Sequence, residues 1–254
     1  MVVPDDLEVD GVRFPVLVTE SRGRRGRGQS RSRTARATLG PEGLSIRLPI
    51  SVNPAERQRQ LTHLLQWARR TISRDPERFR PRLPRSYQDG SALTAAGQQF
   101  TIEVSTADRR TGSARVVNDR ILLVFPASAD QTTRLHLARR LVSGALAQKF
   151  TAHLIALCDS LHRKHFRDVA PPQWVSFRFT TRRWGSCSAR GRLSISTRLL
   201  LAPPHILEYV CVHELAHLVH LDHSVRFWER VEKAFPEYYQ CERWLQRHDF
   251  DCQF

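Results

Sequence analysis

With 254 residues, of which 41% are hydrophobic, the chain can bury one large core or two small ones. Its net charge of +15 comes from 37 arginines against only three lysines, a basic balance that suits polyanions but does not by itself identify one. No unbroken apolar run approaches the roughly 18 residues of a membrane helix, and the acidic start Met1–Glu8 is unlike a secretory signal; the expectation is a cytoplasmic protein without a membrane partner.

Taken in order, Val12–Thr19 alternates and reads as a strand. Residues 21–36 hold seven arginines, three glycines and no acid; they read as a solvated loop, with a nucleic-acid tether as the second reading. Ala35–Leu39 and Leu44–Pro49 read as short strands joined by Gly40-Pro41-Glu42-Gly43. Asn53-Pro54-Ala55-Glu56 carries an N-cap, a first-turn proline and the glutamate of a capping box, predicting a helix to about Ile72. Residues 76–90 read as a linker rich in proline and arginine.

Phe100–Ser105, Ala114–Val117 and Ile121–Phe125 read as further strands. From a capping box at Ser128–Gln131 a long helix is predicted to about Phe166, with Leu135, Leu141, Leu146, Phe150 and Leu161 on its apolar stripe. Its histidines His153, His162 and His165 read as packing or surface residues. Beyond Pro171-Pro172, Trp174–Thr180 reads as a strand with Val175, Phe177 and Phe179 inward, and Leu193–Ser196 as its return. No internal repeat is evident. The order of elements predicts an α+β fold divided into a β-rich region, 1–127, and a region at 128–254 with the long helix and the remaining motifs.

The chemistry concentrates in Val212–His223, where H-E-x-x-H places His213 and His217 on one helical face as ligands for a single zinc ion. Glu214 stands beside them as the base that would take a proton from water. His220, seven residues on from His213, lies roughly 10 Å along a continuous helix, too far to share the ion. His223 reaches if the helix ends near Leu221 and Asp222 turns the chain, with Ser224 as the cap of a helix running to Ala234. The expected ligands are therefore His213, His217 and His223. A last helix is expected at 237–247. Five scattered cysteines without a C-x-x-C pair read as reduced thiols and offer no second zinc site.

Arg183-Trp-Gly-Ser-Cys-Ser188, His213-Glu-Leu-Ala-His217 and His223-Ser-Val-Arg-Phe-Trp228 together resemble the YgjP-like metallopeptidase family, as do Tyr209-Val210 and Asp222. The resemblance covers most of the chain and is weakest before Trp174. It implies a zinc-dependent hydrolase with a minimal zincin-like C-terminal unit, related in look to SprT-like and Wss-type proteases. It also implies His213, His217 and His223 as ligands and Glu214 as catalytic base. Metzincins share the histidine spacing, but His220 stands where they need glycine and Met1 is the only methionine, which excludes them.

In zincins an edge strand beside the metal commonly pairs with extended substrate; Trp184, Ser186 and Cys187 are candidates for that strand, and His220, Tyr238 and Tyr239 for stabilising the oxyanion. The expected partner is a protein or peptide substrate, with nucleic acid as the second candidate. Two alternatives stand beside a peptidase. One is a phosphoanhydride hydrolase using Arg182, Arg183 and Arg226; the other is a nucleic-acid-associated protein with a structural zinc.

Overall fold

The computed structural model describes residues 4–21, 35–40, 42–79 and 85–254. Most of the arginine-glycine segment, 22–34, lies outside them. The fold is α+β and divides into two compact units: Met1–Pro84 with Arg247–Phe250, and Arg85–Gln246 with Asp251–Phe254. The division expected after residue 127 falls inside the second unit, because the strand ending at Pro126 and the helix that follows share one apolar core.

In the first unit β1 (Asp6–Val9) and β2 (Val12–Ser21) form a hairpin, and β3 (Arg36–Gly40) pairs antiparallel with β4 (Gly43–Pro49). β2 runs parallel to β4, so the sheet order is β1-β2-β4-β3. α1 (Pro54–Arg74) buries Leu61, Ala68 and Ile72 in the same core as Leu7, Phe14 and Ile46. Its predicted cap is present: Asn53 Oδ1 accepts from Glu56 N at 2.8 Å. α2 (Pro76–Phe79) adds one turn where a linker was expected.

The second unit repeats this plan. β5 (Ala92–Ala95), β6 (Gln98–Ala107), β7 (Ser113–Val117) and β8 (Arg120–Pro126) form a sheet of order β5-β6-β8-β7, followed by α3 (Gln131–His165). The registers correspond residue for residue. Asp6↔Pro15 matches Ala92↔Thr101, Val16↔Leu44 matches Ile102↔Ile121, and Ala37↔Ile46 matches Ala114↔Leu123.

Both hairpins turn on two residues of positive φ, Asp10-Gly11 and Ala96-Gly97, as a two-residue turn of type I′ requires. The caps also correspond, since Asp130 Oδ1 accepts from Thr133 N at 2.8 Å. The cap of α3 is thus Asp130 rather than Ser128. This internal duplication corrects the expectation of no repeat. Few of the equivalent residues are identical, because a buried strand position asks only for an apolar side chain of fitting size.

The 35 residues of α3 serve two cores. Ala138, Val142 and Leu146 pack on the β5–β8 sheet, while Leu154, Cys158 and Leu161 reach the core of the elements that follow. Among the described residues α3 is the one helix long and apolar enough to cross a membrane, by length and composition alone; its apolar stripe is occupied by these two cores.

β9 (Trp174–Arg178), β10 (Gly185–Cys187) and β11 (Arg192–Ser196) make a small sheet of order β10-β11-β9. β9 and β11 are parallel and β10 is an edge, antiparallel to β11. Phe179, expected inward, lies past the end of β9 and is 48% exposed. A 3-10 turn (Thr197–Leu201) leads to α4 (Pro204–Ala216), then α5 (Val225–Ala234) and α6 (Tyr238–Arg247).

Candidate metal centre

α4 is buried almost all round, with Ile206, Leu207, Val210, Cys211, Val212, Leu215 and Ala216 all in one core. A helix enclosed on every side has its axis and rotation set by its neighbours, and that settles where His213, Glu214 and His217 project. The helix stops at Ala216, five residues before the expected end. His217 is its C-cap, and Leu218 N and Val219 N bond to Leu215 O and Ala216 O in a tightened last turn. Ending there, the chain leaves the helix axis before His220 and comes back with His223.

His213, His217 and His223 converge, with one ring nitrogen from each lying within 4.8 Å of the others. His213 Nε2 and His223 Nε2 stand 3.1 Å apart. Two nitrogens bound tetrahedrally at 2.0–2.1 Å to zinc would stand about 3.3 Å apart, so the pair is already near metal-binding separation. His217 Nδ1 lies 2.9 Å from the carbonyl of His220. That oxygen can only accept, so Nδ1 carries the proton and Nε2 is left as the ligand atom. His220 thus acts through its backbone, and its side chain is not part of the cluster.

An aromatic wall orients the three rings. Phe227 lies 4.9 Å from His213, 4.5 Å from His217 and 4.8 Å from His223, ring centre to ring centre. Trp228 packs against His213 and His223 and stacks on Tyr238 at 5.4 Å. Asp222 Oδ1 accepts from Ser224 N at 3.3 Å, closing the turn that presents His223. Tyr209 ties α4 to α6 through its hydroxyl, which donates to Glu242 Oε1 at 3.1 Å. Burial and the adjacent imidazoles push His213 down to about 3, so its ring is uncharged across the neutral range. An uncharged ring is what a metal requires.

Glu214 is 5% exposed, and its Oε2 is buried without a hydrogen-bond partner. Burial pushes its carboxyl up to about 8, against the opposing pull of the Arg183 guanidinium. A buried, unpartnered carboxyl oxygen on the helix that carries two of three convergent imidazoles fits a divalent metal with its activated water, and it has no evident packing purpose. Gly185 of β10 makes room for it, since a Cβ at that position would come within 2.4 Å of Glu214 Oε1. Gly185→Ala is therefore expected to retain metal but lower kcat by about a hundredfold, the scale of a misplacement near 1 Å. A parallel metal titration and rate measurement checks it; an unchanged kcat would show that Glu214 tolerates the shift.

The other candidates separate. Ser186 and Cys187 lie on β10 and line a cavity beside it. The Cys187 thiol is pushed up to about 11 by burial and by Glu214, which keeps it protonated and poorly nucleophilic. Trp184 is a packing residue: the guanidinium of buried Arg198 lies over its ring at 4.1 Å. Arg198 also donates to Thr181 O and Cys252 O, fastening the segment that enters β10. Tyr238 belongs to the aromatic wall, and Tyr239 is 62% exposed. Arg183 lines the cavity, whereas Arg182 and Arg226 do not. The sequence reading missed Gly185 as the support of Glu214 and Phe227 as the common neighbour of the ligands.

A family model described as the YgjP-like metallopeptidase domain matches residues 33–248 of this chain. No curated protein and no solved structure matches it.

Proposed function

Since the chain belongs to the YgjP-like metallopeptidase family, a hydrolase family that implies a divalent metal, we propose that it is a zinc peptidase built on a minimal zincin-like unit. Nε2 of His213, His217 and His223 would hold the zinc, which would supply Lewis-acid activation of a carbonyl and of water. Glu214 takes the attacking water's proton at Oε2 and returns it to the leaving amine. Phe227 and Trp228 hold the imidazoles in place. The edge of β10, unpaired on its outer side among the described residues, suits an extended polypeptide that adds a strand to the sheet. His220 and the tyrosines remain candidates for the oxyanion, with Tyr238 favoured by its packing beside Trp228.

The observations that carry this reading are three histidine ring nitrogens within 4.8 Å of one another and, on the same helix, the buried, unpartnered Oε2 of Glu214. Three protein ligands and a base describe a catalytic site rather than a closed structural one of four ligands. A phosphoanhydride hydrolase is the second reading, favoured only by Arg183 near Glu214 and without a glycine-rich phosphate loop to support it. The test is a screen of the zinc-loaded protein on unfolded proteins and nucleoside triphosphates. Cleavage of peptide bonds is expected to vanish on chelation and return with one equivalent of zinc. Triphosphate hydrolysis without proteolysis would overturn the proposal.

A further inference from the structure

The small sheet has a second face that the metal site does not use. Ser186, Ser194 and Ser176 stand in one rung across β10, β11 and β9, as the registers Ser186↔Ser194 and Ser194↔Ser176 require. In-register partners share a face. Two residues along the strands, Arg192, Trp174 and Arg178 fall on that same face, while Val175, Phe177, Leu193 and Ile195 point oppositely, into the core. With Arg183, the side chains of Trp174, Arg178, Ser186, Arg192 and Ser194 line a cavity of ≈ 680 Å³, within the range of small-ligand sites.

No acidic residue lines this cavity, and none of Arg178, Arg183 and Arg192 forms an ion pair with a carboxylate among the described residues. On the same face of the sheet the Oγ of Ser176 is buried without a hydrogen-bond partner. Trp174 is 63% exposed. The face therefore offers hydroxyls, one exposed aromatic plane and arginines that no carboxylate pairs among the described residues.

We infer that this cavity is a specificity pocket for an acidic side chain of the polypeptide substrate. The inference rests on the peptidase reading above. A strand added at the β10 edge sends alternate side chains to opposite faces of the sheet. Those on the inner face approach Glu214, which touches β10 at Gly185; those on the outer face enter the arginine-lined cavity beside Ser186. An Asp or Glu in that position meets guanidinium forks, which bind carboxylates bidentately. A single strand of nucleic acid fits less well, because stacking successive bases takes a series of aromatics and Trp174 is the one aromatic lining the cavity.

The test uses zinc-loaded Glu214→Gln protein, which binds without turnover, and fluorescein-labelled extended peptides that differ only by Glu or Gln at one position, scanned along the peptide. At one position the Glu peptide is expected to bind about tenfold more tightly, the scale of one charge-assisted hydrogen bond. That ratio should fall towards one in the Arg178→Gln, Arg192→Gln double variant, whose zinc content, unchanged, shows an intact fold. Equal affinity at every position, no binding of either peptide, a ratio that survives in the double variant, or tighter binding of oligothymidylate or ATP would each overturn the pocket. Zinc-loaded wild type separates the two ideas: cleavage without a Glu preference removes the pocket alone, and a Glu preference in binding without cleavage removes the peptidase reading alone.

Discussion

Glu214→Gln should leave the metal and the fold in place and lower kcat by about 10²–10⁴-fold, the usual contribution of a positioned acid–base group. The substitution conserves shape in the space that Gly185, lacking a side chain, leaves open for the carboxyl group. What it removes is the acceptor at the buried Oε2. An amide cannot take the water's proton, so the chemical step fails while substrate binding persists. Zinc content and thermal unfolding measured beside the rate distinguish this from a collapsed site. A kcat within a fewfold of wild type, with zinc retained, would mean that another group moves the proton.

The second large effect separates two neighbouring histidines. His223→Ala should weaken zinc binding by more than the 10–100-fold typical of losing a mere supporting contact, because it removes one of three ligands. His223 is exposed on a turn, so truncating it leaves the core intact. His220→Ala should keep most of the affinity. Its contribution is a main-chain carbonyl that accepts the hydrogen bond of His217 Nδ1–H, and an alanine has the same carbonyl. Competition with a chromogenic chelator reads both constants. Equal losses, or a larger loss at His220, would require a different ligand set from the one the geometry assembles.

Much of the site's inner half was legible because it is local. Two histidines four apart share a helical face whatever surrounds the helix, and Asn53 caps α1 with side-chain chemistry confined to one turn. The end of α4 was not legible. No glycine or proline follows Ala216 to mark it, and the stop comes with a tightened turn at His217–Val219 that depends on packing. β1 and β5 were missed because four residues of alternation are too short a signal.

The sequence by itself supplied the candidate ligands and the candidate base, together with the α+β alternation of elements, since these follow from side-chain chemistry and from period along the chain. The tertiary structure alone decided the rest. The duplication lies in registers and not in residue identities, because cores select for volume and polarity. Arg178, Arg183 and Arg192 are scattered in the chain and meet only because β9, β10 and β11 align them. The hollow for Glu214 exists only because edge strand β10 brings Gly185 against α4. Contacts of this kind join residues far apart in sequence, and no spacing rule along a single segment encodes them.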